Sequence, residues 1–184
     1  MTRPMKTDTD VLEAAFKMMI PEIREWFAGN HNHVTDDEVV ADLASSYAGT
    51  ASSARSSYKW AKYLDNNLSW PVDLRLIQAL ERFDAILTRA WFVALTEWVM
   101  KTGTRFPAKE GDEIRLKTAT GELSPDVLNV KAVDHVTARG FCLRWLHGKM
   151  RLVRIHAEDV VSVRHEGENV WRLVNDEPRL AQVG

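Results

Sequence analysis

Phe141 to His156 reads FCLRWLHGKMRLVRIH. Phe141, Leu143 and Trp145 alternate with Cys142 and Arg144, the period of two expected of a half-buried strand. His147-Gly148 follows, and a second run extends from Lys149 to His156. Two residues between alternating runs, the second a glycine, signal a β-hairpin. In phase with Phe141 and Leu143, Trp145 reads as a core residue. In the second run the apolar set slips from Met150 and Leu152 to Val153 and Ile155. A slip of one residue predicts a bulge or a strong bend there.

The flanking sequence extends the same rhythm. Glu113 to Thr118 alternates, with Ile114 and Leu116 facing one way, and Val127 to Val136 is rich in valine. Ala138-Arg139-Gly140 predicts the turn into the hairpin. Downstream, Ala157-Glu158-Asp159 reads as a single helical turn, and Val160, Val161 and Val163 as a last short strand. Short strands in this order, with a one-turn element before the last, resemble SH3-like small barrels, including those of translation and transcription factors. The resemblance covers about a third of the chain, rests on strand order alone, and implies a fold without a function. Trp171 and Leu173 are expected to extend the sheet or to pack back on the helices, and residues from Asn175 onward to form a mobile tail.

Before Gly103 the rhythm is helical. Asp10 and Glu13 have capping-box spacing ahead of Val11, Leu12, Ala15, Phe16 and Met19, and Pro21 should end or kink that helix. Thr35-Asp36-Asp37-Glu38 is the clearest helix start, with carboxylates where the helix dipole favours them. Gly49 is expected to end this helix, Thr50 to cap the next, and Asn66-Asn67 to break it. From Ser69-Trp70-Pro71 no glycine or proline intervenes until Gly103, which predicts one long rod with two apolar faces. The expected fold is therefore α+β: a four-helix-type bundle over 1–103, an SH3-like β-barrel over 104–174 and a tail over 175–184.

The chain has 184 residues, with 24 Lys and Arg against 26 Asp and Glu. A near-neutral balance excludes a chain that is basic throughout and a strongly acidic nucleic-acid mimic. The distribution is uneven: residues 1–103 sum to −3, residues 104–166 to +2 and residues 167–184 to −1. One cysteine, Cys142, forbids an intrachain disulfide and any zinc site built on several thiolates. This cysteine usage fits the cytoplasm. No signal-like N-terminus or membrane-length apolar run is present.

Four groups of residues are candidates for binding. Arg139, Arg144, Lys149, Arg151, Arg154 and Arg164 make the β half basic, and Arg144 and Arg154 are expected to pair across the hairpin. Such a ribbon suits nucleic acid, with Trp145 as a stacking surface if exposed. Trp60 and Trp70, flanking the Asn66-Asn67 break, are candidates for an exposed partner surface among seven tryptophans. The segment from Asp36 to Leu64 has a helix-turn-helix layout, with Ser52, Arg55, Ser56 and Lys59 towards a groove. His31 and His33, close to Asp36, Asp37 and Glu38, suggest a metal but match no zinc spacing, so no metal or cofactor is expected.

No phosphate loop, serine elbow or activated cysteine appears. The expected role is a non-enzymatic binding protein. The type envisaged is a small bacterial or phage adaptor or inhibitor docking on a protein or nucleoprotein complex. The alternative is a nucleic-acid-binding regulator using the basic hairpin or the helix hairpin. A second apolar face on the long helix also suits a homodimer.

Overall fold

A computed structural model describes residues 2–27, 35–50, 56–118 and 120–174. The fold is α+β. The chain divides into two compact units, Met1–Trp98 and Val99–Gly184. The expected tail, 175–184, lies outside the described residues.

The first unit holds α1 (Thr9–Phe27), α2 (Asp36–Thr50), α3 (Ser57–Leu68), α4 (Leu74–Glu81) and most of α5 (Phe83–Thr102). Helix α1 packs on α2 and α4, and α3 packs on the same two. The capping box at α2 is formed. Glu38 Oε2 accepts from the Thr35 N–H at 2.8 Å, and the Glu38 N–H donates to Thr35 Oγ1 at 3.3 Å. These bonds hold the exposed Glu38 carboxyl below its ordinary pKa. The capping box expected at Asp10 and Glu13 is absent: Asp8 accepts from the Met5 N–H, and Glu13 pairs with Lys17.

Several helix boundaries differ from those expected. Helix α1 continues through Pro21 to Phe27. Helix α2 runs through Gly49 to Thr50, and α3 starts only at Ser57. Asn66-Asn67 does not break α3: Asn67 donates its side-chain amide to the Tyr63 carbonyl, and the helix stops at Ser69 with φ 56°. The long rod begins at Leu74, where Asp73 accepts from the Leu76 N–H, and Arg82 interrupts it while keeping a helical backbone.

The core of this unit is aromatic. Phe16 stacks on Phe83, and Tyr47 and Trp60 meet both edge-on. Trp26 stacks on Trp70. Buried tryptophan needs a partner for its N–H. Trp60 donates to the buried Ser46 hydroxyl at 2.7 Å, and Trp70 to Asp42 at 2.8 Å.

The second unit is an antiparallel sheet of β1 (Glu113–Leu116), β2 (Leu128–Asp134), β3 (Arg139–Leu146), β4 (Lys149–His156), β5 (Val160–Arg164) and β6 (Arg172–Leu173), with a single 3₁₀ turn at Ala157–Asp159. The strand order is β4-β3-β2-β1-β5-β6. This ladder is open, with β4 and β6 at its edges. Ile114, Leu128, Val130, Cys142, Ile155, Val160 and Val163 form its core with Phe106. Gly140 is required where it stands, because an added Cβ would collide with the Phe106 ring.

The bulge expected in the second hairpin strand is not there. β3 and β4 pair without a slip from Arg139↔His156 to Leu146↔Lys149. The register shifts lie in β2, between Val130 and Ala132, and in β1, between Arg115 and Leu116. The turn into β3 also lies earlier than expected. Asp134 accepts from the Val136 and Thr137 N–H groups and from the Thr137 hydroxyl, so Arg139 and Gly140 already belong to the strand.

Candidate functional site: the outer face of the β3–β4 hairpin

His147 and Gly148 have φ of 49° and 74°. Positive φ at both central residues is what a type I′ hairpin turn demands, and such turns match the natural strand twist. This turn sets the pairs above it: Trp145 opposite Met150, Leu143 opposite Leu152 and Phe141 opposite Arg154. Directly opposed residues share a face. The alternate face carries Cys142 opposite Val153 and Gly140 opposite Ile155.

The core lies on the face of Gly140 and Cys142, opposite to the one the alternation suggested. Phe106 occupies the space left by Gly140, so the face with the smaller side chains is the buried one. Trp145 is therefore 66% exposed, with Met150 at 54% and Leu152 at 60% beside it. Leu143 and Phe141 are half-buried on the same face. The Arg154 guanidinium carbon sits 5.8 Å from the Phe141 ring centre. The slip in the apolar pattern marks a change of face: outward at Met150 and Leu152, inward at Val153 and Ile155.

The other expected binding residues separate into three groups. Lys149, Arg151 and Arg154 are exposed on the edge strand. Arg144 stands opposite Arg151, not Arg154, and its guanidinium bonds Asp126 at 2.8 Å. Arg139 is buried and lines no surface. Trp60 and Trp70 are also buried, in the helical core. Their indole N–H groups have internal acceptors, so the expected exposed tryptophan surface does not exist at these positions.

Of the helix-hairpin set, Ser56 occupies the N-cap position of α3 without a side-chain capping bond, and Lys59 is exposed on that helix. Ser52 and Arg55 lie outside the described residues, as do His31 and His33. Among the described residues no group of three or more His, Cys, Asp or Glu side chains is gathered as a metal site. No described helix is long and apolar enough to cross a membrane.

Elsewhere in this unit the ionisable side chains act as fasteners. Asp112 is buried and accepts from the Lys109 and Glu166 N–H groups and from His165 Nδ1 at 2.9 Å. Burial pushes its pKa up, but these bonds outweigh burial and hold the carboxyl below its ordinary value. Arg164 pairs with Glu113, and Trp171 lies 4.3 Å from Arg115 and 5.0 Å from Arg164, measured to the ring centre. Trp171 thus extends the sheet region next to β6. Burial pushes the Cys142 thiol up to about 11, which makes it a poor nucleophile at neutral pH.

Sequence reasoning missed Met150, Leu152 and Leu143 as surface residues. A usable signal was present: the two-residue turn alone pairs Trp145 with Met150 and Leu143 with Leu152. No family model, curated protein or solved structure matches this chain.

Proposed function

We propose that this is a non-enzymatic binding protein, an adaptor or inhibitor whose contact surface is the outer face of the β3–β4 hairpin. The envisaged modules are a four-helix-type bundle over 1–103 and an SH3-like small barrel over 104–174, with its target a protein or nucleoprotein complex. Strand order β4-β3-β2-β1-β5 with a 3₁₀ turn before β5 supports the SH3-like reading. One observation carries the assignment of the surface: Trp145, Met150 and Leu152 stand exposed side by side on regularly paired strands. Burying a large apolar side chain contributes about 1.5–3 kcal/mol, so three of them left in water favour a partner. A rigid strand scaffold also presents them with little ordering cost.

Capture from the native host with the full chain and with Trp145→Ala tests the reading. Loss of the captured complex with the variant, while its unfolding transition is unchanged, is the expected result. Equal capture by both proteins would place the contact surface elsewhere. The nucleic-acid-binding alternative gains support from the same hairpin, because its exposed cations lie next to the exposed tryptophan. The helix-hairpin version has less behind it, since of its four residues only Ser56 and Lys59 are among the described residues.

A further inference from the structure

We propose that the occupant of the hairpin face is a single-stranded polynucleotide, with unpaired bases stacking on Trp145 and resting on Met150 and Leu152 while the phosphates follow Lys149, Arg151 and Arg154. This inference rests on the assignment of the hairpin as the contact surface and names the chemistry of its partner.

Charge is the first support. Residues 128–156 contain six lysines and arginines and a single carboxylate, Asp134, in a chain of net charge −2. Arg139 is buried and Arg144 is bonded to Asp126, which leaves Lys131, Lys149, Arg151 and Arg154 exposed. Asp134 is spent on the Thr137 turn. Glu158 and Asp159 lie in the 3₁₀ turn at the end of β4 away from Trp145. Lysine is depleted at protein–protein contacts, whereas Lys149 stands exposed beside this apolar row.

Geometry is the second. β4 is an edge strand. Arg154 shares the face of Met150 and Leu152, and Lys149 and Arg151 alternate to the other side. Among the described residues no strand pairs beyond β4, and the exposed Lys149 and Arg151 have stems long enough to bring their charges around the open edge. From Met150 to Arg154 the strand rises about 13 Å, a ledge for two or three unstacked bases of the kind aromatic sheet surfaces receive. The aromatic face favours single strands, since bases inside a duplex present no free face to stack on.

Fluorescence anisotropy of the full chain with labelled 12-mers of dT and rU, and with a mixed-sequence duplex, tests this at 50 and 200 mM salt. At least one single strand is expected to bind more tightly than the duplex. With three phosphate contacts its affinity should fall roughly 20-fold between the two salt concentrations. Trp145→Ala should weaken binding by about tenfold or more, and Arg151→Gln with Arg154→Gln should flatten the salt dependence. Arg75→Gln, exposed in the helical unit, should leave binding unchanged. Absence of single-strand binding at 50 mM salt, a preference for the duplex, or indifference to Trp145→Ala overturns the proposal. If oligonucleotides fail while hairpin-dependent capture of a nuclease-insensitive complex persists, the occupant is a protein. That outcome sinks this inference and spares the assignment of the surface.

Discussion

The two units use tryptophan in opposite ways. In the helical unit Trp60 and Trp70 are buried among other rings, and each indole N–H donates to an internal oxygen. In the sheet unit Trp171 lies against two guanidinium groups and Trp145 stands in solvent. The difference follows from what each scaffold encloses. A helix pair or layer surrounds a bulky ring on several sides, while a thin open sheet has one inner face, here filled by aliphatic side chains and the Phe106 ring. The same residue type is therefore structural in one unit and available for contact in the other.

That contrast is strongest in stability. Trp60→Ala removes a core ring together with its N–H bond to Ser46, and should cost about 3–5 kcal/mol in urea unfolding. A loss under 1 kcal/mol would mean that the helical core is not organised around this ring. Within the sheet unit, Gly140→Ala forces a methyl against Phe106 and should cost about 1–3 kcal/mol. Adding Phe106→Leu should return part of that loss if the inner face is as tightly filled as described.

The Asp112 fastener gives a pH signature for the sheet unit. Its folded pKa is depressed, so its contribution is fully present above the unfolded value of about 3.9 and is lost as pH falls through the folded value. Asp112→Asn should lower stability at pH 7 by about 1.5 kcal/mol and lessen the acid sensitivity below about pH 4. An unchanged acid limb in thermal melts would assign that sensitivity to other carboxylates. The smallest stability effect is expected for Trp145→Ala, within about 0.5 kcal/mol, as for surface substitutions in general. A large loss there would show that the ring is structural and erase the contrast between the units.

Local signals were legible where the chemistry is local. The Thr35–Glu38 box starts a helix because both partners of its reciprocal bonds lie within four residues. His147-Gly148 makes a tight turn because its dihedral demands fall on two adjacent residues. The rod starts later than Ser69-Trp70-Pro71 suggests because Ser69, in a left-handed conformation, ends α3, and Asp73, two residues past the proline, caps the new helix. Its interruption at Arg82 has no sequence signal, since the backbone there stays helical. The candidate site was half legible. Its cations are legible in the sequence, but Trp145 reads there as core, with stacking only as a conditional role, and nothing in the alternation marks Met150 and Leu152 as exposed.

By itself the sequence determined the order of helices and strands, the switch of rhythm near Gly103, the hairpin and the concentration of positive charge beside it. These follow from periodicity, capping and turn chemistry, which act over a few residues. Tertiary structure alone decided which side of the hairpin faces inward and which tryptophans meet water. The covered hairpin face depends on where Phe106, distant in sequence, inserts its ring; the burial of Trp60 and Trp70 depends on the rings that other helices bring around them. Alternation says that a strand has two faces; only the packing partner determines which of them is covered.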